Sequence, residues 1–213
     1  MKRRHFSSAL IATFAWISQS TAWAQALFKV GKDYLQLERP VATDVATGQI
    51  ELIEFFWYSC PHCNAFEPTL AQWIKTAPKG VVVRRVPVAF RDDFAPQQRL
   101  FFTLEAMNLL ESMHAKVFAA IHAQKLPLNT DAAITEWIDK QGVDKAKFSE
   151  TYKSFGVASK LKRAVQLQND YKVEGVPSLG IAGRYYTDGS IAGSMERALK
   201  VAESLIAQSR PRT

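Results

Sequence analysis

The chain contains two cysteines, and they lie three residues apart in the segment Cys60-Pro61-His62-Cys63. An apolar run over residues 50–58 precedes them and predicts a strand that is buried on both faces. Apolar residues at helical spacing follow them and predict a helix: Phe66, Leu70, Trp73, Ile74 and Ala77. A Cys-x-x-Cys pair at a strand-to-helix junction is typical of a thioredoxin-like redox site, so this segment constrains both the fold and the chemistry.

The predicted place of Cys60 at a helix start favours its thiolate, which is the reactive form of a cysteine. A free cysteine has a pKa near ~8.5. Unpaired backbone N–H groups and the helix dipole stabilise an anion at a helix N-terminus, and a protonated His62 adds positive charge. Cys63, one turn into the helix, is expected to be more buried and less ionised. We therefore predict that Cys60 is the nucleophile and that Cys63 resolves the mixed disulfide.

The dipeptide between the cysteines, Pro61-His62, indicates the direction of electron flow. A stabilised thiolate stabilises the reduced protein, which makes the disulfide a stronger oxidant. Each pKa unit of Cys60 below neutral contributes about 1.4 kcal/mol, or roughly 30 mV for a two-electron couple. A dipeptide with a histidine supplies more of this bias than the Gly-Pro of reducing thioredoxins, so the motif predicts a donor of disulfides.

Two alternatives for the cysteine pair are a purely structural disulfide and a zinc site. Closing a four-residue loop restrains the unfolded chain by only about 2 kcal/mol, which makes the pair a poor structural crosslink. Zinc prefers four ligands, and the other candidates, His62, His114 and His122, lack the usual spacing of a second ligand pair. Neither a metal nor another cofactor is expected.

Residues 1–24 have the pattern of a secretory signal peptide. Lys2, Arg3 and Arg4 form a charged start, residues 9–17 are apolar, and residues 22–24 are a small-x-small cleavage site. The apolar stretch is short for a membrane span, although an uncleaved anchor is the alternative. Cleavage leaves 24 basic against 20 acidic residues, a mild excess that does not indicate nucleic-acid binding. Disulfide chemistry behind a bacterial-type signal predicts a soluble periplasmic protein.

The remaining pattern predicts an α/β chain interrupted by helices. Strands are expected at residues 34–37, 50–57 and 81–90, the last two parallel because a crossover helix joins them. Helices follow at residues 96–110, 112–124, 130–142, 144–156 and 157–171, with Thr130 and Asp144 as N-caps. A hairpin at residues 178–181 and 184–187 and a helix at residues 194–208 close the chain. This order predicts a thioredoxin fold in residues 25–93 and 157–213, with an all-helical domain inserted at residues 94–156.

Two further features are candidate parts of the site. The loop at Val176-Pro177 faces the Cys-x-x-Cys helix in a thioredoxin fold, where a cis peptide bond would present Val176 to an extended substrate peptide; the alternative is an ordinary trans loop. Glu54 alternates with apolar residues along the central strand. If Glu54 is buried, its raised pKa lets it accept the proton of Cys63. The alternative is a partly exposed Glu54 paired with Arg84 or Arg85.

The segment from Glu54 to Cys63, Glu-Phe-Phe-Trp-Tyr-Ser-Cys-Pro-His-Cys, resembles the strand and active site of the DsbA family of periplasmic thiol:disulfide oxidoreductases. Val176-Pro177 is similar to the cis-proline loop of that family, and the helical block is similar to its inserted domain. The resemblance runs from about Val30 onward and is strongest at residues 50–70 and 173–181.

The resemblance implies a protein that donates its disulfide to reduced exported proteins and is reoxidised by a quinone-linked membrane partner of the DsbB type. A very low pKa of the nucleophilic thiol is a known property of that family. By matching motif, Cys60 is the nucleophile, Cys63 resolves, and Pro61-His62 tune the thiolate. Val176 and Pro177 belong to the peptide groove, and Glu54 is the buried acid under the site. A monomer is expected.

One position departs from the family. Arg85, or Arg84 if the alignment shifts by one residue, stands where well-known members carry a lysine near the buried acid. Arginine stays protonated, which argues against a proton-transfer role there.

The alternative functions are a periplasmic reductase or isomerase and a peptide-binding chaperone. Isomerases of the DsbC kind carry an N-terminal dimerisation domain, and the roughly 25 residues before the central strand leave no room for one.

Overall fold

The computed structural model describes residues 28–210, so the predicted signal peptide at residues 1–24 lies outside the described residues. A five-stranded mixed sheet forms its centre, in the order β1-β5-β4-β2-β3. The strands are β1 (Leu35–Gln36), β2 (Ile50–Phe56), β3 (Val81–Pro87), β4 (Ser178–Ile181) and β5 (Tyr185–Asp188).

Strand register decides which polar residues meet beneath the cysteines. β2 pairs in parallel with β3 and antiparallel with β4, so Glu54 lies opposite Arg85 on one side and Leu179 on the other. The predicted parallel pair and the predicted hairpin of β4 and β5 are both confirmed. The hairpin turns at Ala182 and Gly183, both with positive φ, and its second strand begins one residue later than expected.

Five helices lie between β3 and β4, and two follow the hairpin. The helices are α1 (Pro61–Thr76), α2 (Ala95–Ala106), α3 (Leu110–His122), α4 (Asp131–Lys140), α5 (Lys145–Tyr152), α6 (Phe155–Asp170), α7 (Gly189–Ala192) and α8 (Met195–Ser209). A 3-10 turn, Asp92–Phe94, leads into α2. Among residues 28–210, no helix is long and apolar enough to cross a bilayer.

Several predicted boundaries were wrong, and two of the errors have a clear local reason. The helix expected at residues 96–110 ends at Ala106, because Asn108 takes a left-handed conformation with φ 57° before α3 begins. The helix expected to reach residue 156 ends at Tyr152, because the Ser154 side chain accepts the N–H of Val157 and caps α6. β3 ends three residues earlier than predicted, and the short helix α7 was not predicted.

The predicted caps at Thr130 and Asp144 are confirmed, since their side chains accept N–H groups of the following first turns. We retain the helical insert at residues 94–156 as a proposal supported by the run of helices from α2 to α6. Its proposed C-terminal limit falls in the first turn of α6, which begins at Phe155.

Apolar cores cover both faces of the sheet. On one face, Ile53 and Phe55 pack in a cluster with residues of the helical segment. On the other, Leu52 packs in a cluster with Leu70 of α1 and Leu205 of α8. All seven residues of β2 are buried, as its near-continuous apolar sequence predicted. This burial holds β2, and therefore the turn that follows it, in a rigid setting.

Candidate active site

The cysteine pair lies where β2 ends and α1 begins. Pro61 is the first residue of α1, a position that suits its preset φ and missing N–H. Cys60 is the N-cap in an extended conformation, and its N–H donates to the carbonyl oxygen of Trp57 at 3.0 Å. The N–H of Cys63 donates to Sγ of Cys60 at 3.3 Å. The helix start therefore directs backbone donors at one of the two sulfurs.

The two thiols, both free in this structure, differ in ionisation. The pKa of Cys60 is lowered to about 6, mainly by the hydrogen bond from the Cys63 thiol. Burial opposes this shift, and the N–H groups of Cys63 and His62 add to it. Burial raises the pKa of Cys63 far above its ordinary value, and the nearby Cys60 raises it further. Cys60 is 7% exposed and Cys63 is fully buried. The pair thus contains one thiol that ionises easily and one that stays protonated.

The loop before β4 lies against Cys60. Sγ of Cys60 donates to the carbonyl oxygen of Val176 at 3.4 Å, and the Val176–Pro177 peptide bond is cis. A cleft of about 430 Å³ opens beside this contact. Its walls are the exposed His62, the Val176-Pro177 loop, α7 and the start of α8. The structure therefore places His62, Val176 and Pro177 in the walls of one solvent-open cleft, and the carbonyl of Val176 contacts Sγ of Cys60.

Glu54 is buried under the cysteines, with 1% of its surface exposed. Its Oε2 accepts from Nε of Arg85 at 3.1 Å. Burial raises the pKa of Glu54 to about 8. The positive charge of Arg85 opposes this shift, and the negative charge of Glu67 adds to it. Of the two alternatives for Glu54, the structure shows the buried carboxyl, and it shows the pairing with an arginine as well. Strand register selects Arg85 as the partner, and Arg84 instead pairs with Glu51.

Glu67 and His114 complete a buried polar chain that sequence reasoning missed. Oε1 of Glu67 accepts from Nη2 of Arg85 at 2.7 Å, and its Oε2 lies 3.4 Å from Nε2 of His114. Nδ1 of His114 lies 2.8 Å from the hydroxyl of Tyr58. Burial opposes ionisation of Glu67, but the hydrogen bond and charge of His114 and the charge of Arg85 lower its pKa below the ordinary value.

One signal pointed to Glu67, and none pointed to His114. Glu67 lies four residues after Cys63, which is one turn along the same face of α1. The sequence offers His114 only as a candidate zinc ligand, because nothing local in the sequence brings α3 to the active site. Within residues 28–210, no group of three or more metal-ligating side chains is present.

Comparisons with known proteins agree with this geometry. A family model described as a DSBA-like thioredoxin domain matches residues 85–199. The thiol:disulfide interchange protein DsbA of Bordetella parapertussis is 40% identical over 99% of this chain and 100% of its own length. The crystal structure of Pseudomonas aeruginosa DsbA is 38% identical and superposes with a TM-score of 0.80, covering 85% of this chain and 94% of that one. The chain belongs to the DsbA family.

Membership of the DsbA family confirms the predicted fold class and the predicted enzyme class. DsbA of Xylella fastidiosa, 27% identical, also superposes, with a TM-score of 0.78 over 85% of this chain and 97% of its own. The protein is a thiol:disulfide oxidoreductase with a thioredoxin fold. The family model begins after Cys63, whereas the match to the Bordetella parapertussis protein extends over nearly the whole chain and so spans the cysteine pair.

Proposed function

We propose that this DsbA-family protein is a dithiol oxidase that donates the Cys60–Cys63 disulfide to reduced exported proteins. The observation that most strongly supports this proposal is the unequal ionisation of the two thiols. A Cys60 pKa of about 6 leaves most of this thiol ionised at neutral pH. Relative to an ordinary thiol, that ionisation stabilises the reduced protein at pH 7 by about 1.4 kcal/mol, or roughly 30 mV. The bias makes the disulfide form the stronger oxidant.

The proposed reaction passes through a mixed disulfide. A substrate thiolate attacks Sγ of Cys60, the Cys60–Cys63 bond breaks, and Cys63 leaves with the bonding electron pair. Cys63 then takes up a proton, because burial holds its pKa high. The second substrate thiolate attacks the substrate sulfur of the mixed disulfide and releases Cys60 as a thiolate. Two electrons pass from the substrate dithiol to the protein, and the substrate gains one disulfide.

Glu54 is the proposed acid that supplies and accepts the proton of Cys63. Its pKa of about 8 lets it exchange a proton near neutral pH, and its charge acts on the thiol of Cys63. An arginine guanidinium does not exchange its proton near neutral pH, so we assign Arg85 the orientation of Glu54 rather than proton transfer. His62 and Pro61 are proposed to tune the thiolate of Cys60, and Val176 with Pro177 to hold the substrate backbone at the cleft.

The proposed setting is the periplasm, with reoxidation by a quinone-linked membrane partner of the DsbB type. The pattern of residues 1–24 supports export, and membership of the DsbA family supports a redox partner. A monomer suffices for the proposed reaction, because both thiols, Glu54 and the Val176 loop come from one chain. Size-exclusion chromatography with light scattering tests the monomer, and the mature N-terminus of the exported protein tests cleavage after residue 24.

The deciding experiment is the reduction potential of the Cys60–Cys63 couple, measured by equilibration with glutathione buffers. We expect a reduction potential well above that of the glutathione couple, and a value near that of reducing thioredoxins, roughly −270 mV, would overturn the oxidase proposal.

A second experiment measures the oxidation of a dithiol peptide by wild type, Cys60→Ala and Cys63→Ala. Cys60→Ala and Cys63→Ala should both be inactive, because neither can form the disulfide that is donated; full biological activity of Cys60→Ala would favour a chaperone.

A further inference from the structure

A glutamine of the helical segment reaches the turn that carries Cys60. Gln97, in the first turn of α2, is 2% exposed. Its Oε1 accepts the N–H of Ser59 at 3.2 Å, and its Nε2 donates to Oγ of Ser59 at 2.6 Å and to the carbonyl oxygen of Leu128 at 2.9 Å. Each polar atom of this buried side chain therefore has a partner, and two of its three bonds go to the residue before Cys60.

A histidine of α3 holds the other end of the same peptide group. The carbonyl oxygen of Tyr58 lies 2.8 Å from Nε2 of His122, and because a carbonyl oxygen only accepts, Nε2 carries the donated proton. The carbonyl of Tyr58 and the N–H of Ser59 belong to one planar peptide unit. His122 and Gln97 thus bind opposite edges of that plane, and His114 bonds the Tyr58 hydroxyl nearby.

The orientation of this peptide plane affects the cysteine that follows. Rotation of the plane changes ψ of Tyr58 and φ of Ser59, which moves Cys60 relative to the first turn of α1. Sγ of Cys60 receives the N–H of Cys63 at 3.3 Å and faces the carbonyl oxygen of Val176 at 3.4 Å. The N–H of Cys63 stabilises the Cys60 thiolate only while Sγ stays in line with it, so a displacement of Cys60 weakens this hydrogen bond and destabilises the thiolate.

We propose that Gln97, acting with His122, is a positioning residue of the active site that sets the Tyr58–Ser59 peptide plane and thereby holds Cys60 over the start of α1. The helical segment then contributes to the reactivity of the thiol as well as to the fold. This inference rests on the proposed function of Cys60 as the reacting thiol. It assigns a role in the redox reaction to residues that lie on α2 and α3, outside the Cys-x-x-Cys segment.

The test compares two neighbouring glutamines of α2. Gln97→Leu removes the bonds to Ser59, whereas Gln98→Leu is the matched control: Gln98 is equally buried at 2% and donates to the carbonyl oxygen of Pro87 at 2.8 Å. Both variants are expected to lower the melting temperature, because each leaves buried backbone groups unpaired. Gln97→Leu alone should raise the pKa of the Cys60 thiol, read from thiolate absorbance, by about half a unit or more. The glutathione equilibrium constant should shift about threefold or more toward the oxidised protein.

Equal thiolate titrations and equal glutathione equilibria for Gln97→Leu, Gln98→Leu and wild type would overturn the positioning role. If Gln97→Leu does not fold, Ser59→Ala removes only the 2.6 Å bond and should shift the Cys60 titration in the same direction by a smaller amount; an unchanged titration there contradicts the inference. The two proposals fail separately. A wild-type potential near that of thioredoxin refutes the oxidase, while the difference between Gln97→Leu and Gln98→Leu still reports on the position of Cys60.

Discussion

Replacing Glu54 with glutamine should change how the stability of the protein depends on pH. Burial raises the pKa of Glu54 from 4.5 to about 8. In the unfolded chain this carboxyl titrates near ~4.3, so between these two pKa values the folded protein binds one proton more than the unfolded chain. Stability from Glu54 is therefore fully present below the unfolded pKa and is lost as pH rises toward 8.

The magnitude follows from the one-proton difference. The free energy of unfolding should fall by about 1.4 kcal/mol for each pH unit, or roughly 2.7 kcal/mol between about pH 5.5 and about pH 7.5. Glutamine has no proton to release, so Glu54→Gln should lack this part of the slope. Loss of the bond to Arg85 adds an offset to the variant, and that offset changes little with pH because arginine stays protonated.

The assay is urea unfolding of the reduced protein at several pH values in this range, with a thiol reductant present. The measured quantity is the difference in unfolding free energy between wild type and Glu54→Gln, in which the contributions of other groups largely cancel. Glu136→Gln is the control, because Glu136 is exposed and Lys140 lowers its pKa, so it is ionised in both states throughout. Parallel curves for wild type and Glu54→Gln would mean that Arg85 keeps Glu54 ionised, and the reasoning would be refuted.

Three other perturbations have clear expected outcomes. His62→Pro should raise the pKa of Cys60 from about 6, since the N–H and charge of His62 help to lower it; an unchanged absorbance titration would remove His62 from that role. Gly180→Ala should lower stability by about 1–3 kcal/mol in urea unfolding, because a Cβ there would lie 2.5 Å from the Tyr171 ring; wild-type stability would show that the ring moves freely. Leu70→Ala, at a fully buried position between α1 and the sheet, should cost about 2–5 kcal/mol in the same assay.

Local sequence patterns were sufficient for the fold class and for the centre of the site. The apolar run of β2, the Cys-x-x-Cys pair and the helical spacing after it are each written within a few residues, so backbone preference and burial determine them together. The caps at Thr130 and Asp144 were predictable for the same reason, because a side chain bonds an N–H three residues away. Boundaries failed where a neighbouring element competed, as where Ser154 caps α6 and thereby ends α5.

The polar surroundings of the cysteines were decided by tertiary structure. The choice of Arg85 over Arg84 as the partner of Glu54 depends on the parallel register of β2 and β3, which a shift of one residue would reverse. Gln97 and His114 reach Ser59 and Tyr58 across 38 and 56 residues of sequence. The pattern of neighbouring residues cannot predict contacts between residues so far apart in the sequence, because these contacts form only when separate helices pack against one sheet. The sequence by itself determined which sulfur chemistry the chain carries, and the packing of the helical segment decided which side chains surround and hold the reactive thiol.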